Sequence, residues 1–288
     1  MRSPFIKFLS GISLILSVNV RAQTGDTIVL RDIVWDKNSP AGSKEIFIPS
    51  GNALLAGLFY KANGAARHPT LLLLHGYPGN ERNLDLAQVV RSHGWNVIYF
   101  NYRGAWGSQG EFSFTNAIED VKNVVSYCKL NSDSLQIDAS NIVLFGHSMG
   151  AFVCLKAMQQ LPEIKKGFAL STWDIGGDLK PVTNEQQLDA LLNSKRFEGK
   201  YFVLNTPPKE IFLPVVKNQP YYDLRNDGTA LTGKQIIMLD EHNRNKDIAN
   251  IIRKSNKAYF EYQVWETDHS FTNKRVALMK KVVAFLDR

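Results

Sequence analysis

The stretch that most constrains this chain is NIVLFGHSMGAFVCLKAM, residues 141–158. An apolar run, Ile142–Phe145, has the length and composition of a buried strand, and it enters Gly146-His147-Ser148-Met149-Gly150. A segment with helical spacing leaves it. One serine between two glycines, at the join of a buried strand and a helix, fits the G-x-S-x-G pattern. The turn there is sharp, and a Cβ at either glycine position would collide with the neighbouring strand and helix. Such a turn lifts the serine oxygen clear of the sheet. The helix that follows points its N-terminus at the serine and favours developing negative charge. Five letters alone carry little weight, but here the flanks supply the required strand and helix. The pattern therefore predicts Ser148 as a nucleophile and asks where its base and acid lie.

The rest of the chain has the matching periodicity. Residues 44–62 predict two strands around a Ser50-Gly51-Asn52 turn, an antiparallel hairpin. PTLLLLHG is a strand buried on both faces. Residues 81–94 carry Leu84, Leu86, Ala87, Val89 and Val90 at helical spacing, and WNVIYFNYRG is the next strand. NAIEDVKNVVSYCKL predicts a helix opened by Asn116, with Glu119 three residues on in a capping-box spacing. After the serine motif come the strand GFALST, then KQIIMLD, a helix over NKDIANIIRKSN, the strand YFEYQVWE and a closing amphipathic helix. Strands alternating with helices of about a dozen residues imply βαβ units and a mainly parallel sheet. Residues 173–234 are less regular and too long for a simple loop. They are expected to form a small cap over the active-site end of the sheet, or an extended crossover.

The front end reads differently. Arg2 and Lys7 precede an eleven-residue apolar run, Phe8–Val18, and Val20-Arg21-Ala22 suits a signal peptidase. Residues 1–22 are expected to be a secretory signal, with Gln23 as the mature N-terminus and an irregular lead-in over residues 23–43. Eleven apolar residues span only about half of a bilayer core, so an anchor is the weaker reading. The expectation is an exported, periplasmic or secreted protein with no stable membrane insertion. Its charge falls from +7 to +4 without the three basic residues of the signal. That mild, scattered excess, with no basic tract interleaved with aromatics, argues against nucleic-acid binding. Cys128 and Cys154 both fall in helical segments and are expected as buried apolar groups rather than a disulfide. No metal-ligand spacing is present, and neither a metal nor another cofactor is expected.

Four segments, HGYPGN, YFNYRGAWGSQGEFS, GHSMG and ETDHSF, resemble the serine hydrolases of the α/β-hydrolase superfamily. The nearest style is that of the prolyl-oligopeptidase-like and dienelactone-hydrolase-like single-domain branches. The resemblance covers residues 44–288 and implies an α/β-hydrolase fold. That fold has a mainly parallel sheet of about eight strands, helices on both faces and a small cap insertion. It implies an oxyanion hole formed by the backbone amides of Tyr77 and Met149, with His75 bracing its own loop. The chain order serine, acid, histidine makes His269 the base. The acid belongs after the strand KQIIMLD. Asp240 at the strand end is the first choice, with Glu241 and Asn243 just beyond it as alternatives, and Asp174, after the preceding strand, is a further alternative. Asp268 is expected to point away or to cap the last helix. In the glycine-rich loop, Arg103 is expected to brace the turn, and Trp106 is a candidate pocket wall.

The implied reaction is acyl transfer through an acyl-enzyme, on a small-molecule ester or, less readily, a short peptide. A carboxylesterase is the expectation. Two other classes remain open: a binding protein that has kept the fold and lost catalysis, and an acyltransferase or haloperoxidase on the same fold.

Overall fold

In the computed structural model, residues 32–199 and 201–288 are described; the signal-like segment, residues 1–22, and residues 23–31 of the lead-in lie outside them. The sheet starts with the hairpin β1 (Gly42–Ser50) and β2 (Ala53–Lys61), joined by the two-residue turn Gly51-Asn52. Gly51 has φ 59°, the left-handed conformation that such a turn demands and glycine supplies. β3 (His68–Leu74), α1 (Leu84–Ser92), β4 (Asn96–Phe100), α2 (Phe114–Leu130) and β5 (Ile137–His147) follow. Next come α3 (Met149–Gln160) and β6 (Lys166–Leu170). Between β6 and the next strand the chain forms four short helices, α4 (Ile175–Asp178), α5 (Glu185–Leu192), α6 (Pro208–Lys217) and α7 (Gln219–Tyr222), then two 3₁₀ turns. β7 (Gln235–Asp240), α8 (Lys246–Ser255), β8 (Phe260–Val264) and α9 (Arg275–Leu286) complete the chain.

The strand order is β1-β2-β4-β3-β5-β6-β7-β8. β2 pairs antiparallel with both β1 and β4, and all pairs from β4 to β8 are parallel. Successive side chains leave a strand on opposite faces, so each central strand feeds two layers. Leu72, Leu74, Ile98, Phe100 and Leu144 join the large cluster built with α2 and α3. Phe145 stacks on Phe168, and Phe168 meets Phe285 of α9 edge-on, on the other layer. Both cysteines are free and fully buried in that packing.

One helix start differs from expectation. The cap of α2 is Ser113, whose hydroxyl accepts from the Asn116 N–H at 3.0 Å. Asn116 lies inside the first turn, and its side chain donates to the Glu111 carbonyl. Serine three residues before a free amide is a complete cap by itself, and it places Phe114 in the core.

Candidate active site

The serine turn sits between β5 and α3. Ser148 has φ 59° and ψ −117°, a backbone that side-chain-bearing residues rarely adopt. Its amide donates to the Leu170 carbonyl at 2.8 Å, and its carbonyl accepts from Ala151, Phe152 and Trp173. The glycines are obligatory here. A Cβ on Gly146 would lie 2.0 Å from the Gly150 carbonyl oxygen, and one on Gly150 would lie 2.0 Å from the Leu74 carbonyl oxygen. Gly76 passes so close that its own Cβ would sit 3.1 Å from the Ser148 Cβ. The chain carrying Tyr77 therefore runs beside the serine. Met149 is the first residue of α3, where a backbone amide has no intrahelical acceptor.

His269 lies on the loop between β8 and α9. Its Nδ1 is 2.8 Å from Glu241 Oε1 and 2.8 Å from the Ser171 hydroxyl. A carboxylate only accepts, so Nδ1 carries the proton and Nε2 keeps a free lone pair. The ring is half exposed, and it lines a cavity of about 540 Å³ that Ser148, Glu241, Tyr77 and Trp173 also line. Its backbone is fixed from two sides. His147 Nε2 donates to the His269 carbonyl at 2.9 Å, and Arg275 ties the loop to α1 through Asp85, Asn83 and the Ser270 carbonyl. Burial lowers the pKa of His147 to about 4, and the neighbouring His269 adds to that. His147 is therefore a neutral donor at physiological pH.

The carboxylate beside His269 belongs to Glu241, not to the expected Asp240. Glu241 is the first residue after β7, and Asp240 is the last within it. Asp240 is completely buried, and its carboxylate is taken up by residues 172 and 245. One of its oxygens accepts from the Thr172 N–H at 3.0 Å and the other from Asn245 Nδ2 at 3.0 Å. Asn245 Nδ2 also donates to the Thr172 carbonyl at 2.7 Å. Asp240 thus clamps residue 172 and the loop after β7 together. Burial raises its pKa to about 7, against the pull of those hydrogen bonds, and the Glu241 charge adds to the rise. For Glu241, burial also acts upward, but the hydrogen bonds from His269 and Ser171 overcome it and bring the pKa down to about 2.

The other acid candidates are engaged elsewhere. Asp174 accepts from the Leu224 N–H at 3.0 Å and faces Arg225. Asn243 is exposed, and its backbone carbonyl accepts from the Lys246 N–H at 3.1 Å. Asp268 accepts from the Thr272 N–H at 2.8 Å, in the 3₁₀ turn before α9. Arg103 braces its loop through the buried Asp120, with Nε–Oδ1 2.5 Å. Trp106 does not wall the cavity: its Nε1 donates to the Pro78 carbonyl at 2.5 Å, and its ring lies under Arg82. His75 Nδ1 meets the Gly76 carbonyl at 2.8 Å, within its own loop. Of the aromatics between residues 173 and 234, Trp173 and Phe197 line the cavity, while Phe212 and Tyr222 are packed inside. Sequence reasoning missed Ser171. Its hydroxyl donates to Glu241 Oε2, and its backbone has φ 53°. A polar residue closing the strand GFALS, beside the serine strand, was the available signal.

A sequence profile of the α/β hydrolase fold family matches residues 69–213. That is half of the chain, and together with the sheet order it places the protein in the α/β-hydrolase fold family. A 134-residue stretch is 28% identical to an uncharacterized protein of Rickettsia prowazekii, covering 44% of this chain and 54% of that one. A 109-residue stretch is 29% identical to the lysophosphatidylserine lipase ABHD12 of Rattus norvegicus, covering 37% of this chain and 26% of the lipase. The matched stretch thus spans about half of the first relative and a quarter of the second. Among solved structures, the esterase Pf2001 of Pyrococcus furiosus superimposes with a TM-score of 0.62 at 21% identity, covering 86% of this chain and 93% of the esterase. Brefeldin A esterase, a bacterial homologue of human hormone-sensitive lipase, gives 0.62 at 14% identity and covers 90% and 81%. An acylaminoacyl peptidase of Pyrococcus horikoshii gives 0.60 at 14% identity, covering 86% of this chain and 41% of the peptidase. At these identities the likeness is one of fold.

Proposed function

We propose that this protein is a serine hydrolase that cleaves carboxylic esters through Ser148, His269 and Glu241. The observation that carries the reading is the 2.8 Å contact of Glu241 with His269 Nδ1, on the cavity that the strained Ser148 also lines. That contact fixes the imidazole tautomer that leaves Nε2 basic. His269 takes the Ser148 proton as the hydroxyl attacks the ester carbonyl, and Glu241 stabilises the imidazolium that forms. The amides of Tyr77 and Met149 hold the oxyanion. His269 then protonates the leaving alcohol, and water, deprotonated by the same imidazole, releases the acid. Esters need less leaving-group assistance than amides, so ester cleavage is the favoured activity. The relative named as a lysophosphatidylserine lipase points the same way. A complete acid–histidine pair counts against a fold retained only for binding.

Export belongs to the same proposal, on the N-terminal pattern of residues 1–22. The test is hydrolysis of p-nitrophenyl butyrate by the purified protein. Turnover that disappears in Ser148→Ala is the expected result, and equal turnover by that variant would sink the assignment. N-terminal sequencing of the exported protein should begin at Gln23.

A further inference from the structure

The charged side chains around the cavity can be accounted for one by one. Asp178 accepts from Trp173 Nε1 at 2.8 Å and pairs with Arg196. Asp174 is held by the Leu224 amide and Arg225, and Arg225 is further bound by Asp223 at 2.7 Å. Glu241 is engaged by His269 and Ser171. Every lining carboxylate is therefore satisfied by protein donors, and two of the three lining arginines are matched. The third is Arg244. Its backbone amide donates to His242 Nδ1 at 3.4 Å, but its guanidinium has no hydrogen bond, ion pair or ring partner among the described residues.

The place of Arg244 is fixed although its side chain is exposed. It stands three residues after Glu241, and the next residue, Asn245, is buried and pinned to Asp240 and to the Thr172 carbonyl. The same clamp holds the strand end that presents Ser171 to the histidine. A guanidinium is a planar fork of donors that matches a carboxylate or phosphate in two-point contact, and it cannot be discharged. Tyr77, Trp173 and Phe197 line the same cavity. The cavity that holds the serine thus offers both aromatic surface and one cation without a protein partner among the described residues.

We infer that the preferred substrates are esters carrying an anionic group, a carboxylate or a phosphate, which the Arg244 guanidinium holds. This deepens the hydrolase reading above and rests on it. Two matched pairs of esters locate the anion. p-Nitrophenyl hydrogen glutarate against p-nitrophenyl pentanoate places the charge on the acyl side. 2-(Butyryloxy)ethyl phosphate against 2-(butyryloxy)ethanol places it on the alcohol side. In at least one pair the wild-type kcat/KM should favour the anionic ester by about tenfold, and Arg244→Gln should bring that ratio close to one. A ratio near or below one in both pairs, or a preference that survives Arg244→Gln, overturns the inference. Calorimetry with Ser148→Ala protein separates this from a failure of the hydrolase reading. Methyl hydrogen glutarate or the phosphate ester should bind more tightly than its neutral counterpart, and adding Arg244→Gln should remove the difference. Equal binding overturns the inference whether or not any ester is turned over.

Discussion

Replacing Glu241 and Asp240 separately separates two adjacent carboxylates that look equivalent in the sequence. The pKa of Glu241 stands at about 2, against an ordinary value of 4.5, although its burial acts in the opposite direction. The net displacement corresponds to about 3 kcal/mol of preference for the ionised, hydrogen-bonded carboxylate. The Glu241 side chain is only 13% exposed, so solvent screens little of this. In the proposed mechanism the same carboxylate faces the imidazolium that forms as Ser148 loses its proton. Glu241→Gln should therefore lower kcat by at least about 10²-fold, and by up to about 10⁴-fold if the amide selects the wrong imidazole tautomer. Asp240→Asn keeps an acceptor for the Thr172 amide and touches no reacting group, so its kcat should fall by less than about tenfold. The assay is steady-state hydrolysis of p-nitrophenyl butyrate, with circular dichroism to show that both variants are folded. An inactive, folded Asp240→Asn beside an active Glu241→Gln would refute the reasoning.

The remaining expectations concern the surroundings of that pair. Ser171→Gly suits the φ of 53° and removes the hydroxymethyl group that holds the hydroxyl beside Glu241 and His269, so kcat should fall about tenfold with KM little changed, read from the same steady-state assay. Because the Glu241 pKa is depressed in the folded protein, its contribution to stability is complete above the ordinary pKa of 4.5 and is lost as pH falls towards 2. The difference in urea midpoint between wild type and Glu241→Gln should accordingly shrink between pH 6 and pH 3. Asp120→Ala strips a fully buried partner from Arg103 and from the Ser50 hydroxyl, and should destabilise by about 3–5 kcal/mol in urea unfolding. Gly150→Ala drives a Cβ to 2.0 Å from the Leu74 carbonyl oxygen and should cost about 3 kcal/mol or more, seen as a lowered Tm or as insoluble protein.

The parts of this molecule that were legible in its sequence are those where the backbone demands particular residues. Gly146 and Gly150 are required by contacts that no other residue tolerates, so the serine turn is written directly into the chain. His269 was legible from its place between the last strand and the last helix. The acid was not. Neighbouring residues at a strand end point to opposite sides, so whether 240 or 241 meets the histidine depends on where β7 stops. That stop is set by tertiary contacts: Thr172 and Asn245 capture Asp240 and leave Glu241 to turn towards His269. Ser171 carried only the weak signal of a polar residue at a strand end, since its role arises only when β6 and β7 lie side by side. The aromatics of residues 173–234 were equally mute. Only the packing separates Trp173 and Phe197, which line the cavity, from Phe212, which fills the core.

The central claim is that Ser148 is an activated nucleophile served by His269. The most direct measurement treats the folded protein with a fluorophosphonate and locates the adduct by mass spectrometry, with Ser148→Ala and His269→Ala beside it. The account predicts stoichiometric modification of Ser148 in the wild type, none in Ser148→Ala, and labelling slowed by orders of magnitude in His269→Ala. Folded wild-type protein that stays unmodified, or that labels as fast without His269, would contradict it.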